Sequence, residues 1–190
     1  MGIEIEKKYR LTAGQAEDLR ARVRAVGREV RGVEFEENTL YAGAGLAPLR
    51  RVLRLRRVEG RVILTYKERE TSSAAIKRQR EDETEVADGD ALASILEALG
   101  YQPALVYEKR RATWQVGEAE VVIDELPFGL FVEIEGEEAA IVDAERLLNL
   151  VAAEVVHESY PELTQQLGVK KGETHEARFN FGNQAGAMEG

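Results

Sequence analysis

Apolar and polar side chains alternate along much of this chain, starting with GIEIEKKYR, where Glu4, Glu6 and Lys8 stand at two-residue spacing with Ile3 and Ile5 between them. Successive side chains of a strand point to opposite faces, so the spacing predicts a strand with two carboxylates and an ammonium in one row and isoleucines behind it. The pattern returns in VLRLRR, where Arg54 and Arg56 oppose Leu53 and Leu55, and in VILTYKE, where Thr65 and Lys67 oppose Leu64 and Tyr66. In REDETEV the acids Glu81, Glu83 and Glu85 are collinear, and in VYEKRRATW the cations Lys109 and Arg111 are. Asp124 ends VVIDE before the turn Pro127–Gly129, and in LFVEIEG Glu133 and Glu135 back onto Val132 and Ile134. Strands are predicted near 2–11, 33–41, 50–58, 61–70, 77–87, 104–116, 119–125 and 130–136. That number suits a barrel or a large antiparallel sheet.

Helical periodicity is rarer. Thr12 and Gln15 make a capping-box pattern ahead of Ala16, Leu19, Val23 and Val26, with Gly27 closing the helix. Asp88 caps a second helix carrying Leu92, Ile95, Leu96 and Leu99, ended by Gly100. A third is predicted from about 139 to 156 with Ile141, Leu147, Leu148 and Val151 on one face, and a short fourth starts at Pro161. The mixture is α+β. After Gly168 periodicity stops, so residues 1–168 read as one domain and 169–190 as a polar tail, mobile or locally docked. The loop AGAGLAPL at 42–49 reads as a flexible lip.

Strands with one charged and one apolar face admit two arrangements. Charged faces turned outward require the apolar faces to stack as a sandwich, which leaves the amphipathic helices without a partner surface. A sheet closed with its apolar faces outward, under the helices, encloses a charged channel instead. Uncompensated buried ions cost several kcal/mol each, so such an interior persists only if acids, bases, metal and ligand balance one another.

Composition narrows the chemistry. The 190 residues are 44% apolar, enough for one buried interior. No apolar run spans a bilayer and the N-terminus lacks the marks of a signal peptide, so a cytoplasmic protein without membrane partners is expected. Cysteine is absent and His157 and His175 are the only imidazoles, leaving carboxylates, cations and metal for any catalysis. The net charge of −9 argues against general nucleic-acid binding, yet a basic block from Arg50 to Arg80, including Arg51, Arg57, Arg61, Lys77 and Arg78, calls for anions.

Taken in order, E-x-E-x-K, LRLR, TYK, EDETE, EKRR, VVIDELP and FVEIEG, with the terminal SYPEL, resemble the CYTH superfamily of triphosphate tunnel metalloenzymes over roughly residues 2–165. The resemblance implies an eight-stranded antiparallel tunnel with helices on its outside. It implies binding of the triphosphate of a nucleotide, of a thiamine derivative, or of inorganic triphosphate, with Mg²⁺ or Mn²⁺. Arg54, Arg56, Lys67, Lys109 and Arg111 then form a phosphate clamp with Lys8 beside them, since guanidinium forks and ammonium charges both suit phosphate oxygens. Glu4, Glu6 and Glu135 are first choices for the metal, with Asp124 and Glu133 as further ligands. Glu83 and Glu85 are expected to orient or deprotonate water, and Lys8 joins them as a catalytic candidate. The register of EDETE leaves Glu81, Lys77 and Arg80 either at the rim or facing inward, and Trp114, Tyr107 and Tyr160 are expected as packing residues. Hydrolysis of inorganic triphosphate, ATP or thiamine triphosphate by a monomer or homodimer is the preferred expectation. A class IV adenylyl cyclase is the alternative, and a non-catalytic polyphosphate- or RNA-binding module the third.

Overall fold

Each alternating stretch forms a strand in the computed structural model, which describes residues 2–46, 51–69 and 77–179, and side chains for 5–46, 51–68 and 80–179. The expectations for Arg50, for most of the 42–49 loop beyond Leu46, for the side chains of Glu4, Lys77 and Arg78, and for the tail from 180 onward fall outside the described residues. In chain order the elements are β1 (Gly2–Leu11), α1 (Ala13–Val26), β2 (Arg28–Ala42), β3 (Arg51–Val58), β4 (Arg61–Arg69), β5 (Lys77–Glu85) and α2 (Gly89–Ala98). They continue with β6 (Gln102–Val116), β7 (Ala119–Leu126), β8 (Gly129–Glu135), α3 (Glu138–Leu148), β9 (Glu154–Val155), α4 (Tyr160–Leu167), β10 (Val169–Lys171) and β11 (Thr174–Ala177). The fold is α+β, a mostly antiparallel sheet with four helices among the described residues.

Neighbouring strands pair in the order β6-β2-β3-β4-β5-β1-β8-β7. Over Arg110–Val116, β6 pairs with β7 as well as with β2. The two faces of these strands part company as the alternation requires. The apolar face of β1, β6, β7 and β8 packs under α1 and α3 through Ile5, Tyr9, Val121, Ile123, Val132, Ile134, Leu19, Val23, Ile141 and Leu148. Leu53, Leu55, Val62 and Leu64 of β3 and β4 meet Leu92 and Leu96 of α2. The charged faces turn the other way, into a shared cavity, so a sandwich with outward charges does not form.

Helix caps follow the sequence signals. The Thr12 side chain accepts from the Gln15 amide and Asp88 accepts from the Asp90 and Ala91 amides. Ser159 and Glu162 form a second capping box that starts α4. Helix α3 is shorter than expected: it ends at Leu148 because Asn149 adopts a left-handed conformation (φ 57°) that turns Leu150 back into the core. Ile141, Ala144 and Leu148 form its buried face, whereas Leu147 and Val151 are exposed. Val26, Ile95 and Leu99, expected on buried stripes, are also exposed.

Residues 169–177 are not featureless. β10 and β11 form a hairpin, and β11 pairs in parallel with Leu105–Tyr107 of β6, the stretch that β7 does not reach. Among the described residues, no helix is long and apolar enough to cross a membrane.

Candidate functional site

Facing side chains of β1 to β8 enclose a cavity of about 280 Å³. Glu6 and Lys8 come from β1, Arg31, Glu36 and Leu40 from β2, Val52, Arg54 and Arg56 from β3, and Lys67 from β4. Glu81 and Glu83 come from β5, Tyr107, Lys109, Arg111 and Thr113 from β6, Glu120 from β7, and Glu133 and Glu135 from β8. Ser159, Tyr160 and Pro161 at the start of α4 complete the lining. All six cations expected to clamp phosphate are therefore brought together, and so are Glu6, Glu83, Glu133 and Glu135.

The cations are held in place by acids. Lys8 Nζ lies 3.1 Å from Glu133, and Lys67 Nζ lies 3.0 Å from Glu81. Arg54 donates to Glu83 at 3.3 Å and to the Thr65 hydroxyl at 3.2 Å, and that hydroxyl donates to Glu83 at 2.7 Å. The Arg54 Nε is buried without a hydrogen-bond partner. Arg56 approaches Glu36 at 3.5 Å and donates to the Asn38 side-chain oxygen. Lys109 sits between Glu36 and Asp124, 3.4 Å from each.

Asp124 is fully buried and does not line the cavity. It accepts a forked pair of bonds from Arg111, at 2.7 and 2.5 Å, and a third from the Tyr160 hydroxyl at 2.8 Å. Arg111 reaches on to Glu133 at 2.8 Å. Tyr160 lies beneath both lysines, with Lys8 Nζ 3.9 Å and Lys109 Nζ 5.4 Å from its ring centre. Behind it, Leu40, Tyr107, Leu126, Phe131 and Leu163 pack into an apolar floor.

Such crowding shifts protonation. Burial opposes ionisation of Glu36, but Lys109, Arg111, Arg56 and Arg54 outweigh it and hold the carboxyl well below the usual range. Glu133 behaves alike, with burial overridden by Lys8 and Arg111. Burial, reinforced by Arg111, pulls the Lys109 ammonium down to about 8.

Glu85, expected to act on water, is exposed and does not line the cavity, although it continues the parity of Glu81 and Glu83. Glu81 points inward with those cations, and Arg80 pairs with Asp82 on the outer side. Glu4 lies in β1 opposite Gln79, two residues from Glu6, with its side chain outside the described set. Glu36, Asn38, Arg31 and Glu120 were not foreseen. The alternation of Glu34, Glu36 and Asn38 in EFEEN carried the signal for the second strand, but Glu37 interrupts its polarity.

Mg²⁺ and Mn²⁺ prefer oxygen donors and keep several waters. Glu135 is the cross-strand partner of both Glu6 and Glu120, and all three line the cavity, so the donor chemistry fits such a cation. Among the described residues, no group of three or more acids or imidazoles is tight enough to hold a metal unaided.

The CYTH domain family model matches residues 2–165. A search of curated proteins finds no match. Among solved structures, the chain is similar to the PH1012 protein of Pyrococcus horikoshii OT3, at 26% identity and TM-score 0.73, covering 84% of this chain and 98% of that one. It is similar in fold to a proposed adenylate cyclase from Vibrio parahaemolyticus, at 24% identity, TM-score 0.67 and coverage of 86% and 98%. A third likeness, at 19% identity, TM-score 0.63 and coverage of 84% and 93%, is to a proposed adenylyl cyclase from Hippeastrum with a dominant triphosphatase activity.

Proposed function

We propose, since the chain belongs to the CYTH domain family, that it is a divalent-metal-dependent triphosphatase whose eight strands surround the triphosphate as a tunnel. The observation that carries this reading is the convergence of Lys8, Arg54, Arg56, Lys67, Lys109 and Arg111 on one cavity. The pairing of β6 with both β2 and β7 supports the tunnel.

Charge balance supports the metal. Among the described lining residues seven are cationic and seven acidic, so the cavity by itself offers a polyanion no net attraction. A divalent cation on Glu6, Glu135 and Glu120, with Glu4 two residues before Glu6 in β1, would offset the acids while the cations hold phosphate. When bound, it supplies neutralisation and polarisation of the phosphate oxygens.

The residues of the chain do the rest. Arg54, Arg56 and Arg111 present their guanidinium charge to the phosphate oxygens, and the lysines add point charge. Glu36, Asp124 and Glu133 fix those cations before substrate arrives, so little reorganisation accompanies binding. A water adds to the terminal phosphorus while the bond to the bridging oxygen breaks; the water proton passes to a cavity carboxylate, for which Glu83 is the candidate. Lys8, 2% exposed beside Glu133, stabilises the charge that gathers on the transferred group.

Hydrolysis is preferred over cyclisation because, among the described residues, the apolar lining residues Leu40, Tyr107 and Tyr160 belong to a packed core cluster. The test is incubation with inorganic triphosphate, ATP and thiamine triphosphate plus Mg²⁺ or Mn²⁺, resolving phosphate, pyrophosphate and cyclic AMP. Metal-dependent release of phosphate supports the reading. Cyclic AMP as the main product of ATP, or tight metal-independent binding without turnover, overturns it.

A further inference from the structure

Strict alternation along β2 fixes which residues face the cavity: Glu36 is opposite Lys109 and Asn38 opposite Tyr107, all on the inner face. Continued backward, the same parity would place Arg31 outside with Phe35 and Val33. It does not hold that far. Glu34 pairs with Arg111 but Arg31 pairs with Thr113, so β2 spends three residues where β6 spends two. This bulge resets the parity and turns Arg31 inward, opposite a buried threonine of the cavity wall.

The partners of Arg31 differ from those of the other lining cations. Each of those has a carboxylate at 3.5 Å or closer. The Arg31 guanidinium has Glu34 at 3.9 Å, with its side chain 53% exposed, and Glu34 is held more closely by Arg61 at 3.1 Å. An ion pair so long and so open contributes little. Position matters too. Along β6 the inward residues run from Tyr107 in the floor through Lys109 and Arg111 to Thr113, a span of about 20 Å at strand rise. Arg31 stands at the outer end of that series.

We propose that Arg31 is a substrate-binding residue at the cavity mouth that grips the outermost phosphate of the bound chain, so that the site distinguishes triphosphate from shorter polyphosphates. The proposal rests on the triphosphatase reading and names how that site measures its substrate. The bulge is what makes the contact possible, because it delivers a cation not already committed to a close carboxylate.

Calorimetric titration with inorganic triphosphate and with pyrophosphate, each with Mg²⁺, tests it on the full chain. Arg31→Ala is expected to weaken triphosphate binding about tenfold, in line with loss of a charge-assisted hydrogen bond, and to leave pyrophosphate binding unchanged. Arg31→Lys should recover part of the loss. Glu34→Gln should tighten triphosphate binding, and the gain should vanish when Arg31→Ala is added. Unchanged triphosphate affinity in Arg31→Ala, or equal losses for both ligands, overturns the role of Arg31 while leaving the triphosphatase reading intact. A wild-type protein that does not bind triphosphate overturns both.

Discussion

Asp124 shows how a buried ion can organise a site it does not touch. Its carboxylate is shared among Arg111, Lys109 and Tyr160, so it sets the direction of two cavity cations and of the ring beneath Lys8. Removing one partner of a buried network costs about 3–5 kcal/mol. Asp124→Ala should therefore lose about that much stability in urea denaturation, and Asp124→Asn, which keeps shape and acceptor, distinctly less. Protonation gives a second prediction at this scale. Lys109 is charged below about 8 and neutral above it, so triphosphate binding by the free protein should weaken as pH rises through that value, and Lys109→Arg should remove the dependence. Glu36 and Glu133 have depressed pKa values in the folded state, so their contribution to stability is complete above the ordinary carboxylate range and is lost as pH falls below it. Denaturation midpoints at pH 7 and pH 3 check the sign; Glu36→Gln should flatten the difference. The clamp cations were legible because each sits in an alternating run, whereas Arg31 was hidden by a bulge that no periodicity announces.

Two short strands finish edges that the longer ones leave open. β9 takes Tyr9 and Arg10 of β1 where β5 has stopped at Glu6, and β11 takes Leu105–Tyr107 of β6 where β7 has stopped at Arg110. Strands of two to four residues carry too little pattern to be read from sequence, which is why 169–177 looked like tail. The hairpin also answers a charge problem. Glu37 and Glu108 face each other directly across β2 and β6, an unfavourable pairing, and Arg178 bonds both, at 2.6 and 2.9 Å, as well as Glu176. Phe179 continues the contact, its amide donating to Glu108 and its ring 4.0 Å from the Arg110 guanidinium. Arg178→Ala should lower stability by about 2 kcal/mol, about 4–8 °C in melting temperature. Adding Glu37→Gln should restore part of it, as measured by thermal denaturation; no rescue would show that the arginine acts otherwise. Helix α3 fell short of its predicted end for a similar reason: the apolar spacing continues past Leu148, but Asn149 turns the chain.

At the scale of the molecule, the sheet faces divide the labour: one side packs under helices, the other gathers ions that cancel. The whole-sheet plan was legible because cavity charge and exterior packing alternate within the same strands, and the helix stripes required a surface to cover. What remained hidden was depth, since Asp124 and Glu36 sit beneath the lining and on its wall with the same sequence parity as mouth residues. A cavity with equal numbers of lining cations and acids should bind triphosphate on the order of tenfold or more weaker, at least about 1.4 kcal/mol, when divalent cation is chelated. Titration with and without chelator checks this; equal affinities would contradict a role for the acids in holding metal. The packed floor of Tyr107, Phe131 and Tyr160 carries one more consequence. If the cavity hydrolyses triphosphate as proposed, an aromatic cluster packed against one side of it would favour entry of a polyphosphate by its end, so linkages near the terminus of a longer chain would be cleaved before those in its middle.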